Sequence, residues 1–346
     1  MRGLASQIVT IVINSYGVDE FLKRLADTFW FQSLGCCLGY DWHSSGVTTV
    51  VTSVLKSVIE PNHHGLAVAG GKGRYSRKAP NEIEKMGEIF SWSEEKIASM
   101  KYASRMSAKV DNSAIQAGFP LYHHTLFASE KGEWAVIQQG MCSEKRTARR
   151  YHWHSARVDS YVNEPHNSIV CDIVRESVLN MTAKESEECR KSSIDLVNDG
   201  PRRLKRLFNS LRPDEQSSLD NWLPIKYWGR SYRSLSMPWN VNWKALEQVY
   251  ENQPLNYEEF LSFKGVGPAT VKGLAHVSEI VHGRGPSWND PVKFSFAYGG
   301  KDNVPHPVDR QAMDESIEFL KEAIEEAEIG REEKLKAFHR LGKLTL

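Results

Sequence analysis

Two short apolar runs, Leu121 to Ala128 and Trp134 to Gln139, flank the tripeptide Glu130-Lys131-Gly132. Runs of this length, rich in aromatic and β-branched residues and divided by a glycine turn, predict two strands joined as a hairpin. A purely helical bundle is thereby excluded. Gly65 to Gly70 (GLAVAG) is a further buried-strand candidate, and it leads into the glycine- and lysine-containing loop GGKGRYSRK. Around these strands the apolar spacing is helical. Leu4 to Leu25 reads as a helix. Ser44 or Ser45 is placed to cap another, whose buried face is Val47, Val50, Val51, Val54, Leu55 and Val58. Pro80 suits the first turn of a helix ending near Phe90.

The mixture predicts an α/β or α+β N-terminal domain over residues 1–166. A polar helical linker follows over 167–216, with the basic run PRRLKR at Pro201 to Arg206. Residues 217–346 read as an α-helical domain. Its last long element, Asp309 to about Ile329, is strongly amphipathic. Its apolar face calls for burial, either within the chain or in a homodimer.

With 346 residues the chain is long enough for two cores. A net charge of +1 excludes a histone-like coat for a polyanion but leaves room for a local clamp. Five cysteines, two of them adjacent and none in a CxxC pair, fit neither a disulfide framework nor a zinc ribbon. Ile8 to Ile13 is too short to cross a bilayer, so the reading is a cytoplasmic protein with no membrane partner.

Phe263 to Ala275, FKGVGPATVKGLA, is the stretch that points to a partner. A helix ends near Phe263, Gly265-Val266-Gly267 forms a tight turn with an apolar plug, and Pro268 opens the next helix. An ordinary αα-corner needs no more than a glycine turn. Here the backbone N–H groups of the turn and helix start face outward, where they suit a phosphate, with Lys264 and Lys272 at the edge. The segment is similar to the helix-hairpin-helix motif of DNA repair proteins, in which both glycines are typical. Helix-hairpin-helix glycosylases continue to a Val-Asp at a later helix start, which Asp309 would supply here. The bifunctional ones carry a lysine where this chain has Ala269. An N-cap needs only such an aspartate and is the simpler role for Asp309.

The first 166 residues concentrate polar clusters: DWHSSG, AGGKG, YASRMSAKVDNSAIQAGFPLYHHTLF and ARRYHWH. Polar groups inside apolar segments are costly unless paired or used. GGKG lacks Walker A spacing, and neither HExxH nor GxSxG occurs. Any one histidine is more often a core or surface residue than a ligand. His123 and His124 would face opposite sides of a strand, and His152 and His154 would share one if extended. Phosphodiester cleavage needs cation ligands, a basic group and a base for water. Asp41, Asp111 and Glu133 are the candidate ligands of a divalent cation, magnesium or manganese. Lys72, Lys109, Arg149 and Arg150 are the candidate phosphate partners, and His43, His123 and His152 the candidate ligands or bases.

These stretches give the chain a family resemblance. From FLKRLADTFWFQSLGCCLGYDWHSSGVTTVV through AGGKG, ASRMSAKVDN, LYHHTLF, WAVIQQGM and ARRYHW to EPH, and on to the C-terminal hairpin, it resembles proteins of domain of unknown function 763, found in archaea and some bacteria. The resemblance implies DNA binding and a metal-dependent nuclease acting on single strands. Base excision with Asp309 is the rival enzyme, and a non-catalytic DNA-binding protein the rival outside enzymes. Family members are expected to carry a glycine- and histidine-containing segment ahead of the first helix. This chain starts without it, so its start reads as truncated or assigned late. If that segment supplies site residues, the chain would bind without cutting.

Overall fold

The computed structural model describes residues 2–40, 46–144, 147–212, 237–294 and 310–342. Its centre is a five-stranded sheet of β1 (Leu66–Lys72), β3 (Leu121–Ser129), β4 (Trp134–Cys142), β5 (Thr147–His154) and β6 (Ser168–Val170), in the order β1-β3-β4-β5-β6. Every pairing in it is antiparallel. A two-stranded piece pairs β2 (Ile115–Gln116) with β7 (Leu179–Asn180). Separate helices and an antiparallel sheet make this the α+β alternative. The β3–β4 hairpin turns at Glu130-Lys131-Gly132, with Gly132 in the left-handed region at φ +92°. β4 is buried along almost its whole length. Both faces of the sheet are covered, which explains why its sequence does not alternate.

One face carries the N-terminal helices α1 (Arg2–Tyr16), α2 (Val18–Ala26), α3 (Thr28–Cys37) and α4 (Val47–Val58), followed by the single turn α5 (Pro61–His64). The expected helix Leu4 to Leu25 is two helices, because Gly17 takes φ +88° and breaks it. The other face is covered by α6 (Ala79–Ile89), with its proline in the first turn, and α7 (Glu94–Lys109). Further helices pack beyond them: α8 (Glu187–Asn198), α9 (Pro201–Ser210), α10 (Trp243–Asn252), α11 (Tyr257–Ser262) and α12 (Pro268–His282). Their apolar residues, including Phe208, Phe260, Val271 and Leu274, merge with the sheet's second face into one core.

The last helices, α13 (Arg310–Glu326) and α14 (Arg331–Gly342), do not join that core. Ile317, Leu320 and Ile324 of α13 are buried with the N-terminal helices against the first face of the sheet. The apolar face of the amphipathic helix is therefore buried within the chain, and the described residues of 237–294 and 310–342 contribute to two different cores. Among the described residues no helix is long and apolar enough to cross a membrane.

Candidate functional site

α7 does not end as a regular helix. Val110–Ala114 continues it as one wide π turn, a local insertion that re-aims side chains. Asp111 is thereby buried, only 1% exposed, against the second face of the sheet. Gln138 Nε2 donates to its Oδ2 at 2.5 Å and Trp153 Nε1 at 3.0 Å. His166 Nε2 lies 2.5 Å from Oδ1. The chain of bonds continues outward: Gln138 Oε1 accepts from His124 Nδ1 at 2.9 Å, and His124 Nε2 accepts from Ser104 Oγ at 2.8 Å. Gln138 and Trp153 can only donate to Asp111 as arranged. The one proton open to exchange at this carboxylate therefore sits between Oδ1 and His166. Burial raises the Asp111 pKa above the ordinary carboxylate value, against the lowering pull of His166 and Trp153. His166 in turn lines a cavity of about 200 Å³ together with Asn167, Asn180, Ser287 and Lys293.

The opposite face of the sheet holds a second polar layer. The register aligns Lys72, His123, Gln139 and Arg150 across four strands. His123 Nε2 lies 3.0 Å from the hydroxyls of both Thr52 and Thr125, while its Nδ1 has no hydrogen-bond partner among the described residues. Burial pushes its pKa down to about 3. His152 Nδ1 donates to the Leu25 carbonyl at 3.1 Å, and burial lowers this histidine as well. Arg150 donates to Gln32 and Thr28 of α3 and stacks over Phe31 at 4.7 Å. Both arginines expected at phosphate are buried, at 0% exposure. Arg149 forms an ion pair with Asp290 at 2.7 Å, itself fully buried. Neither guanidinium presents a surface to a strand, because each is spent on holding the core together.

The residues expected to form one site are thus divided by the sheet. Asp111 lies on one face; His123, His152 and Arg150 lie on the other. Glu133 is at the hairpin mouth, where its Oε2 accepts from Ser155 Oγ. The oxygens of Asp111 are taken up by the N–H groups of Gln138 and Trp153 and by Nε2 of His166. Asp111 and Glu133 share no partner, and among the described residues no three His, Cys, Asp or Glu side chains gather to hold a metal ion. Asp41, His43 and Asp309 lie outside the described residues, as do the capping candidates Ser44 and Ser45.

The segment after α11 has the expected local form. Gly265 takes φ +89°, which favours glycine, and Val266 is buried at 2% exposure as the plug of the turn. Gly267 is different. Its φ of −140° suits any residue, and a Cβ there would meet nothing within 4 Å among the described residues. Lys264, Gly265 and Pro268 are exposed. The turn docks on both ends of the segment that carries Asp111: Lys109 Nζ donates to the Phe263 carbonyl, and Gln116 Nε2 to the Pro268 carbonyl at 2.8 Å. Burial, with Arg105 nearby, pushes the Lys109 ammonium down to about 8. Burial also lowers Lys272.

Residues 1–308 match the family described as protein of unknown function DUF763. The chain belongs to this family. No curated protein and no solved structure matches it. Within this DUF763 chain, His166 is the residue that reading for a site passed over. It lies in the stretch EPH, and nothing in its own spacing ties it to Asp111, which is 55 residues away. Only the packing of the π turn against β5 and the segment before β6 brings the two together.

Proposed function

We propose that the protein binds a DNA strand through its sugar-phosphate backbone at the turn Phe263 to Pro268, which acts as a helix-hairpin-helix grip. The carrying observation is the open space over Gly267. Gly265 is explained by its backbone conformation, whereas nothing among the described residues requires a glycine at 267. A backbone that approaches as closely as a phosphate does would require one. The exposed turn leads directly into the N-terminus of a helix of 15 residues, which favours an anion. Lys264 stands at its edge and Lys109 beneath it, so the grip is local and compatible with a net charge near zero. Anisotropy of a labelled single strand tests this. Gly267→Asn keeps a good N-cap, so the melting temperature should stay within a degree or two. Binding should weaken by about tenfold or more, as expected for losing one charged or close backbone contact. Unchanged binding by this variant, or no binding by the wild type, would refute the grip.

The Asp111–His166 pair supports a second reading, hydrolysis of the bound strand. In it His166 takes a proton from a water in the cavity, and Asp111 holds the ring and the proton it shares. α12 starts at the grip, and the chain that follows it lines this cavity, about 20 Å away along the helix. Labelled single strands incubated with and without magnesium or manganese check it. Asp111→Asn and His166→Gln should each slow cleavage by about 10²-fold or more while leaving binding intact.

A further inference from the structure

The turn that follows AGGKG lies outside both networks at the centre of the sheet, of which only Lys72 of that stretch is a member. β1 runs out at Lys72, and Gly73–Lys78 (GRYSRK) forms a 3-10 turn on the surface. Tyr75 stands out from it with 46% of its surface exposed. Gly71 makes this placement feasible, since a Cβ at that position would come within 3.2 Å of the Tyr75 Cβ. Two cations lie near the ring: the Arg74 guanidinium is 5.3 Å from its centroid and the Lys78 ammonium 5.2 Å. Arg74, Arg77 and Lys78 form no ion pair among the described residues.

This turn is linked by surface to the grip. A cleft of about 250 Å³ lies between it and α7, lined by Ser76, Arg77, Lys101, Arg105 and Tyr122. Lys101, Arg105 and Lys109 follow one another at four-residue spacing, so they share one face of α7; Lys101 is ion-paired with Glu84, and Arg105 is the exposed cation of the three. The last of them donates to the turn carbonyl of Phe263. Cations therefore continue from the grip, along a helix face, through a cleft and up to an exposed aromatic ring.

We infer that the exposed ring of Tyr75, with Arg74 and Lys78 beside it, is a stacking platform for a base of a single strand, and that the strand runs from there along α7 to the hairpin. The inference rests on the grip reading and adds the class of nucleic acid. A backbone grip alone accepts single and double strands. A ring that must stack on a base face accepts only unpaired bases, whatever their identity. Arg105, exposed on α7, meets the phosphates between the two points.

Two fluorescein-labelled oligomers of equal length separate the contributions: oligothymidine, and a strand of abasic tetrahydrofuran residues with the same phosphates. The wild type should bind oligothymidine at least about fivefold more tightly, as expected for one stacked base. Tyr75→Ala should bring that ratio close to one, and Tyr75→Phe should retain it. Gly267→Asn should weaken both oligomers by the same factor. A ratio that survives Tyr75→Ala overturns the platform. Equal wild-type binding of the two strands also overturns it and leaves the grip standing. Failure of the wild type to bind either strand overturns both.

Discussion

At the scale of single residues, the sheet's polar side chains are defined by what burial does to their protons. His123, His124, His152 and His154 are all buried, and burial lowers the pKa of each from 6.5. In the unfolded chain each returns to that ordinary value. Between pH 6.5 and about 3 the unfolded chain therefore binds more protons than the folded one, and stability falls as the pH falls. Asp111, with its raised pKa, opposes this as one group against four. Urea denaturation at pH 7 and pH 5 should show a clear drop in midpoint, with a smaller pH-dependent drop in His123→Gln. An equal midpoint at both pH values would mean that these histidines are accessible to protons in the folded state. Histidines are visible in a sequence, but their neutral, core-bound character is not. It depends on Thr52 of α4 and the Leu25 carbonyl of α2 arriving over the strand.

At the scale of elements, the Arg149–Asp290 pair fastens the segment after α12 to β5. Arg175 N also donates to Asp290 Oδ2 at 2.8 Å, and Arg149 stacks over Phe119 at 4.7 Å. Asp290→Ala leaves a fully buried guanidinium without its counter-ion, which should cost about 3–5 kcal/mol in a denaturant titration. A change below about 1 kcal/mol would mean that the loop is not held there. Local elements were the most legible part of the sequence. The β3–β4 hairpin, the proline start of α6 and the turn at Gly265 follow from rules that act within a few residues. The break at Gly17 and the π turn at Val110–Ala114 do not, because competing helix and core geometry decides whether a chain bends at such a point. The missed partnership of Asp111 with His166 follows from that same π turn.

At the scale of the whole molecule, the two ends of the chain share a core. Leu320 of α13 is fully buried among residues of α1 and α3, and Arg340 of α14 donates to the Cys37 carbonyl at 3.1 Å. Leu320→Ala should cost about 2–5 kcal/mol, and loss of α1–α4 protection in hydrogen exchange should accompany it. Unchanged protection there would mean that the C-terminal helices are an independent unit. The amphipathic pattern of residues 309–329 announced that one face must leave water, because periodicity alone fixes which side chains line up. It could not say where that face goes. The sequence likewise determined by itself the mixed helix-and-sheet composition and the local form of the glycine turn, since both depend on near neighbours. Only the tertiary structure decided that the sheet parts Asp111 from His123 and that Arg149 and Arg150 are interior. It also decided that Tyr75 is exposed on a turn whose Arg77 lines one cleft with Lys101 and Arg105 of α7. Those outcomes depend on strand register and on contacts between residues tens to hundreds of positions apart, which no local pattern encodes.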